Sequence, residues 1–341
     1  MSEVRETTPV ATTATTPQDS RRPRARPARV LAILAVVALL AVAIGGKRLY
    51  DRRVTHRAAL TAANAEVLRQ VDERYAAIDA AARASVASAA RLGVTLQEHL
   101  VVSQPERTDA QLTADRHVQQ AALAWSGRQL LDAGSAPPPE LPPLADEPVL
   151  HPHLRRLAEL QRGARQQARQ VLTLAVASER WGAAVTNLRA EAQRYVDVAN
   201  ADRNARGDPA ALLRQWERER AVLEQYRAAA LDGKEVSGLA AYADAFLGYI
   251  DGTRAFIEEA VTLLRQGQIE RYNRRLQEVF GVPDPFGFNA AITAATGEAL
   301  GSGLILSLTQ ARNAINTLLD EVAAARDPLG PHLRTRRAAA L

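Results

Sequence analysis

A regular apolar repeat between residues 67 and 100 constrains the fold of this chain more than any other feature of its sequence. Nine steps cover 33 residues there, about 3.67 residues a step, which is close to the period of an α-helix. The repeat consists of Val67, Val71, Tyr75, Ile78, Ala82, Val86, Ala89, Gly93, Leu96 and Leu100. This period is that of an eleven-residue repeat, so we expect a nearly straight or slightly right-handed packing face.

The amino-acid composition extends this helical prediction to the whole chain. The 341 residues include 68 Ala and 41 Arg, whereas Cys is absent and aromatic residues make up 4%. Ala, Leu and Arg favour helices, and the β-branched and aromatic residues on which strands draw are scarce. The same counts exclude collagens, disulfide scaffolds and zinc ribbons. We therefore predict an all-α fold.

An uncharged segment from Val30 to Gly46 predicts a membrane helix near the N-terminus. Its 17 residues would span about 26 Å as a helix, at the short limit for a bilayer core of about 30 Å. Arg29 and Lys47 flank the segment and can extend their charges towards the headgroups, and Tyr50 suits an interface. We therefore expect a single-pass transmembrane anchor over residues 29–47.

Other interpretations of this segment carry less weight. Ala41-Val42-Ala43 resembles the cleavage site of a signal peptide, but the apolar run is long for a signal and basic residues follow at once. A buried core helix would need a polar face, which the segment lacks. Five basic residues precede the segment closely and five follow it, so the distribution of basic residues does not decide which end of the segment faces the cytoplasm. Short N-terminal tails commonly stay inside, so we expect an extracytoplasmic bundle tethered to the cytoplasmic (inner) membrane.

Positive charge is concentrated around the predicted anchor. Residues 1–57 carry a net charge of +7, whereas residues 58–341 carry −2. A nucleic-acid-binding domain would carry the basic surface itself, so we expect no nucleic-acid partner. Basic flanks suit anionic lipid headgroups instead. Residues 1–28 are rich in Arg, Pro and Thr and have few large apolar side chains, which predicts a disordered tail.

Turn residues divide the rest of the chain into helices of unequal length. We predict a bundle domain over residues 51–327, with a proline-rich connection at 134–152 and a fraying tail at 328–341. Two of its helices approach 50 residues, or about 75 Å, which favours an elongated bundle with coiled-coil-like long helices. The predicted helices cover residues 51–100, about 108–133, 154–205, 209–231, 237–266, 268–280 and 289–325.

Capping residues support several of these boundaries. Ser103 and Thr108 each begin a capping-box pattern ahead of the second helix. Asp208 can cap the fourth helix, with Pro209 at its first position. Asp327-Pro328 stops the last helix, because the residue before a proline disfavours the helical conformation.

Apolar side chains at helical spacing predict the core of each helix. In the second helix they are Leu112, Val118, Trp125 and Leu130. We expect Trp125, Trp181 and Trp216 to be core anchors. The charged runs 216–220 and Glu258-Glu259 are expected to be solvated helix faces with i,i+4 pairing.

Residues 288–309 allow a second membrane span. Gly297 and Gly301 form a G-x-x-x-G pattern, which is typical of closely packed membrane helices. Glu298 at the centre would cost about 2.5–3.5 kcal/mol on insertion scales. A buried bundle helix with close glycine contacts is therefore the favoured interpretation.

No local motif predicts a catalytic, metal or cofactor site. No Glu stands three residues before any of the six histidines, which argues against a di-iron bundle. His151-Pro152-His153 is interpreted as a surface pair. Nucleotide-binding glycine patterns and G-x-S-x-G are absent, and without Cys there is no thiol nucleophile or iron–sulfur cluster. We therefore expect no enzymatic activity, no cofactor and no metal.

These observations predict a membrane-anchored helical bundle that acts as a non-enzymatic interaction or scaffold module. Its partners would be the lipid bilayer, through residues 30–46, and a protein or a second copy, through helix faces. The alternative is a ligand-binding domain that resembles the helical sensor modules of bacterial membrane receptors, a resemblance of fold alone. The bias towards Arg and Ala favours a bacterial origin, in the cell envelope.

Overall fold

A computed structural model describes the backbone of residues 27–101, 108–201 and 208–330 and, within these ranges, the side chains of all residues except 27–38, 41 and 147. This part of the chain is helical and contains no strand, so the predicted all-α class is confirmed. Nearly all of the predicted disordered tail, residues 1–28, lies outside the described residues, as do Ser103 and the C-terminal residues 331–341.

Eight α-helices follow one another in these ranges. They are α1 (Pro27–Leu100), α2 (Asp109–Ser135), α3 (Glu147–Ala201), α4 (Pro209–Lys234), α5 (Ala240–Arg265), α6 (Ile269–Phe280), α7 (Phe288–Gly301) and α8 (Gly303–Arg326). Short 3-10 turns at Pro285–Gly287 and Asp327–Leu329 precede α7 and follow α8.

Two of the predicted helix starts are confirmed by their capping bonds. Thr108 accepts a hydrogen bond from the Gln111 amide at 3.2 Å, and the Gln111 side chain accepts one from the Thr108 amide at 2.9 Å. This reciprocal pair is the predicted capping box. Asp208 accepts from the Ala210 amide at 2.9 Å, with Pro209 at the first helical position.

Two helices are longer than predicted. The predicted anchor and the helix predicted at 51–100 belong to one continuous helix, α1, whose backbone stays helical through residues 47–50. Helix α3 begins at Glu147 and includes Pro152, so the proline-rich connection is shorter than 134–152. Pro152 lies in the second turn of α3, where it removes only one backbone hydrogen bond near the helix start.

The predicted last helix, 289–325, is in fact two helices. Ser302 is extended (φ −137°, ψ −178°), and Gly303 has a φ of +57°, so α7 ends and α8 begins at this point. Residues 327–329 continue as a 3-10 turn in which Leu329 is fully buried. The part of the predicted fraying tail that the structure describes, residues 328–330, is therefore ordered against the core.

The chain divides into two compact units, residues 1–61 and residues 62–341. In the first unit, the described side chains of α1 include exposed apolar ones, Leu39 (69% exposed) and Val42 (72%) among them. All described residues between 39 and 58 are exposed except Gly45, which is partly exposed.

Helix α3 is the centre of the second unit. Helix α2 runs antiparallel along the middle of α3, from Gly134 beside Gln161 to Asp109 paired with Arg189. Helix α8 also runs antiparallel to α3, with Arg156 of α3 paired to Glu321 of α8 at 3.2 Å. Helix α4 packs on the second half of α3, and α5 packs on α4 and α7. The α1 residues of this unit contribute their predicted face to the core.

That predicted face of α1 is confirmed. Eight of its ten residues are buried, and Val86 and Gly93 are partly exposed. The burial follows from the helical period, because one stripe of a helix can face its neighbours throughout a bundle. The core of the unit joins this stripe to apolar residues of all the other helices.

Within the described residues, one helical stretch is long and apolar enough to cross a membrane, Pro285–Leu329. It contains the break at Ser302, and 33% of its most apolar window is buried inside the protein. Core helices of soluble proteins reach the same length and apolar composition. Most side chains of residues 29–47 lie outside the described residues, so the N-terminal anchor stays a prediction.

Candidate functional site

Helix α2 leaves two large apolar side chains exposed. Val118 and Trp125 are each 63% exposed, so their predicted place in the core is wrong, whereas Leu112 and Leu130 are buried as predicted. Leu112 and Leu130 are 18 positions apart in the sequence, about five full turns, which puts them on one face. Around the helix axis, Val118 lies about 240° from Leu112, and Trp125 points in nearly the same direction as Val118. Both side chains are therefore on a different face of α2 from the leucines. Trp181 and Trp216 are buried as predicted.

The exposed face of α2 has the spacing of a helix–helix seam. Ala114, Val118, Ala121 and Trp125 follow one another in steps of four, three and four residues, and all four are exposed. Such alternating steps are those of the core positions of two packed helices. Small and large residues alternate along this face, and the two alanines would let a second helix approach closely.

Arg116 occupies the buried face of α2, four residues after Leu112. It is 3% exposed and crosses α3 at Gly182, where any Cβ atom would collide with its guanidinium. Its Nη2 donates to Nε2 of His117 at 3.0 Å. Its Nε and Nη1 have no hydrogen-bond partner in the described part of the chain. Burial lowers the pKa of Arg116, and the charge of Glu179 partly offsets this effect.

His99, in the last turn of α1, lies close enough to Arg116 for the charge of Arg116 to affect its pKa. It is 3% exposed, and neither Nδ1 nor Nε2 has a hydrogen-bond partner among the described residues. Burial lowers the pKa of His99 to about 4, and the positive charges of Arg116 and Arg189 act in the same direction, whereas the backbone of Leu112 and the charge of Asp109 act against it. The imidazole is therefore neutral at neutral pH.

Arg189 of α3 connects the end of α1 to the start of α2. Its Nη1 donates to the His99 carbonyl oxygen at 3.2 Å, and its Nη2 pairs with Asp109 Oδ1 at 2.7 Å. The Tyr242 hydroxyl of α5 lies 3.5 Å from the carbonyl oxygen of Leu100. These contacts satisfy carbonyl groups that the end of a helix leaves without partners. We call His99, Arg116 and Arg189 the basic cluster.

A second buried polar group lies on α4. Glu219 is 2% exposed, so the prediction that residues 216–220 form a solvated face is wrong at this position. Glu219 lies three residues after Trp216 and four before Leu223, which places it on the buried face. Its Oε2 accepts a hydrogen bond from the Tyr195 hydroxyl at 3.3 Å, and its Oε1 accepts one from Gln215 Nε2 at 2.8 Å.

Aromatic rings surround Glu219. Tyr195 packs on Tyr226 and Tyr249, with ring centroids 6.5 and 6.4 Å apart. Burial raises the pKa of Tyr195 and of Tyr226, so both hydroxyls stay protonated. A cleft of about 580 Å³ opens beside this group, and its lining includes Trp216 and Phe280.

A larger, mainly apolar cleft lies where two glycines cross. Gly238, between α4 and α5, and Gly303, at the start of α8, both have positive φ, and a Cβ at Gly303 would lie 2.5 Å from Gly238 Cα. Only glycine permits this backbone approach. The cleft has a volume of about 780 Å³ and is lined by α3, the α4–α5 connection and α8, including Leu172, Val176, Trp181, Val236 and Leu304.

The close contacts predicted for Gly297 and Gly301 do not occur among the described residues. Both glycines are exposed on α7, and a Cβ atom at either position would meet no neighbouring helix within 4 Å. The close glycine contact of this region is instead the crossing of Gly303 and Gly238. The difference arises because α7 packs on α5 with its other face, through Ile292, Ala295 and Ala299.

The described histidines do not assemble a metal site. No group of three or more His, Cys, Asp or Glu side chains that could hold a metal ion occurs within the described ranges. His151 and His153 lie at the start of α3, and the His153 carbonyl oxygen is 3.3 Å from the Tyr75 hydroxyl. His332 lies outside the described residues.

The sequence contains a signal for both buried charged residues that our prediction missed. Arg116 lies four residues after Leu112, and Glu219 is framed by Trp216 and Leu223, so each is on an apolar helical stripe. A charged residue on such a stripe is either buried or marks the edge of the stripe. Sequence spacing alone does not separate these two cases.

No protein-family model, no curated protein and no solved structure matches this chain. The geometry therefore offers two features with chemical consequences, the exposed face of α2 and the basic cluster beneath it.

Proposed function

We propose that this chain is a membrane-anchored helical bundle that acts as a non-enzymatic interaction module and associates with a second copy through the exposed face of α2. One observation carries this proposal: Val118 and Trp125 are exposed on one face, with Ala114 and Ala121 completing the spacing of a two-helix seam. Large apolar side chains grouped in this way are typical of interaction sites.

The anchor supports self-association in particular. Copies that share one membrane are confined to a thin layer, which raises their effective concentration and favours weak helix contacts. The exposed apolar side chains of α1, such as Leu39, Leu40, Val42 and Ile44, suit a lipid environment. We propose the cytoplasmic (inner) membrane as the location, with the bundle on its outer side.

We further propose that residues 285–329 belong to the bundle and not to a second span. Helix α7 packs on α5, and α8 packs on α3. Buried positions such as Leu308, Ile315 and Val322 recur every seven residues along α8. One apolar stripe against neighbours, with polar residues elsewhere, is the pattern of a bundle helix.

Site-directed crosslinking in native membranes tests the association. The chain has no Cys, so Val118→Cys and Trp125→Cys each introduce a single thiol on the proposed face. Ala221→Cys, at an exposed position of α4, is the matched control. We expect a short bismaleimide to give dimers of the full chain at positions 118 and 125 and none at position 221.

The other outcomes are informative. Crosslinked adducts at 118 and 125 whose mass differs from that of a dimer would show that the partner is another protein and not a second copy. Thiols that react with a monofunctional maleimide at 118 and 125 but form no adduct would contradict the interaction proposal. Labelling of Ser135→Cys by an impermeant maleimide on intact cells would support the proposed orientation, since Ser135 is exposed.

A second candidate function is a sensor-like ligand-binding domain. The observation that favours it is the buried, incompletely bonded guanidinium of Arg116 beside the unbonded ring of His99. Buried polar groups in folded proteins nearly always have partners, and a bound ligand would supply them to this pair.

A further inference from the structure

The basic cluster combines burial with missing hydrogen bonds. Arg116 and His99 are each 3% exposed, and four of their nitrogen atoms lack a partner in the part of the chain that the structure describes. Burying an arginine without full pairing is costly, because the guanidinium loses its water without regaining equivalent bonds.

We propose that Arg116, with His99 beside it, binds the oxyanion of a small carboxylate or phosphate ligand at the junction of α1, α2 and α3. This inference deepens the second candidate function. It does not depend on the exposed face of α2, so either proposal can fail alone.

The chemistry of the donors selects an oxyanion. A guanidinium only donates hydrogen bonds, and its Nε and Nη1 are buried without an acceptor among the described residues. Carboxylate and phosphate oxygens are the acceptors that bind guanidinium most strongly. The neutral imidazole of His99 can add one N–H donor from the end of α1.

The carboxylates around the cluster do not provide this partner. Asp109 pairs with Arg189 at 2.7 Å, and its side chain is 50% exposed. Glu179 influences Arg116 through its charge but forms no ion pair with it, and Glu179 itself is exposed. The remaining groups that face His99 are Arg116 and the backbone of Leu112, both on α2, and Arg189 on α3. Among the described residues, the buried side chains of the cluster therefore carry positive charge only.

Gly182 shows how the fold accommodates the guanidinium. Arg116 lies over the backbone of α3 at this residue, in a position that any larger residue would block. Glycine is less favourable than alanine in the middle of a helix, so this space is kept against helix propensity. Gly182 therefore provides the space that the guanidinium of Arg116 occupies.

Thermal unfolding of the full chain in neutral detergent tests the proposal. Arg116→Met removes the charge and keeps much of the apolar volume, and Arg128→Met is the matched control, because Arg128 lies on the exposed side of α2. In anion-poor buffer we expect Arg116→Met to raise the unfolding midpoint, because it removes an incompletely paired buried charge. Malonate and inorganic phosphate should stabilise the wild type and the Arg128→Met chain, and not the Arg116→Met chain.

Calorimetry with the same two anions gives the affinity. We expect Arg116→Met to weaken binding about tenfold or more, as is typical when a charge-assisted hydrogen bond is lost. The proposal is overturned if Arg116→Met lowers the midpoint in anion-poor buffer and neither anion stabilises the wild type. It is also overturned if the anion-dependent rise survives in Arg116→Met.

A spectroscopic measurement on the wild type covers the case in which Arg116→Met does not fold. The ring signals of His99, assigned with His99→Gln, should shift as either anion is added. Nanodiscs of phosphatidylcholine with and without phosphatidylglycerol distinguish the source of the oxyanion. A shift with phosphatidylglycerol alone identifies a lipid headgroup, a shift with the soluble anions identifies a small solute, and no shift in any arm overturns the proposal.

Discussion

Arg116 and Glu219 occupy positions on helix faces that apolar side chains otherwise fill. Glu219 is bonded to Tyr195 and Gln215, whereas Arg116 keeps two nitrogens without partners within the described ranges. Most of the arginines that the structure describes lie at the surface, where ion pairs such as Arg227–Asp251 at 3.0 Å contribute about 0.2–1 kcal/mol each. The buried charged residues therefore have larger consequences for stability than the surface pairs.

At the residue scale, we predict that His99 makes stability depend on pH. Its folded pKa of about 4 lies below the usual 6.5, so the unfolded chain binds the proton more tightly. The contribution of neutral His99 to the free energy of unfolding is fully present above pH 6.5 and is lost as the pH falls towards 4. The loss amounts to at most about 3 kcal/mol.

Urea unfolding of the wild type and of His99→Leu at several pH values in anion-poor buffer measures this effect. The difference in unfolding free energy between the two chains should change between pH 6.5 and 4, in the direction that penalises the wild type at low pH. Equal pH slopes in the two chains would show that His99 titrates normally.

At the element scale, the crossing of Gly238 and Gly303 determines where α7 ends and α8 begins. The two backbones meet at a distance that excludes a side chain, and both glycines have positive φ. Helix α7 packs on α5, and α8 packs on α3. The chain changes direction at this crossing, so the two parts of the apolar stretch 285–329 can contact different helices.

We predict opposite effects for two Gly→Ala substitutions, one at this crossing and one on α7. Gly303→Ala should destabilise the fold by about 2 kcal/mol or more, because it combines a strained positive φ with a backbone collision. Gly297→Ala, in open space on α7, should stabilise it by up to about 1 kcal/mol through helix propensity. Chemical denaturation measures both, and similar effects at the two sites would rule out the crossing.

For the whole molecule, the two apolar stretches at 30–46 and 285–329 differ in what they contact. The described side chains of the first include exposed leucines, whereas the second has one face buried in the bundle. Each charge placed inside a bilayer costs about 2.5–3.5 kcal/mol. An added arginine should therefore weaken membrane attachment only in a stretch that lies in the bilayer.

We predict that membrane attachment depends on the first stretch alone. Leu39→Arg with Leu40→Arg should release the chain from membranes washed in alkaline carbonate. Leu306→Arg, at an exposed position of α8, should leave attachment unchanged. Fractionation and immunoblotting measure both, and release by Leu306→Arg would identify residues 285–329 as a membrane span.

Local signals in the sequence determined the elements of this fold. The 3.67-residue repeat predicted the buried stripe of α1, and Thr108, Asp208 and Pro209 predicted two helix starts, because period and capping act within a few residues of each other. Only the tertiary structure decided what those signals leave open. It buried Arg116 and Glu219, exposed Val118 and Trp125, and divided the last helix at Gly303. Each of these outcomes depends on which neighbouring helix lies against a given face, and residues far apart in the sequence supply that neighbour.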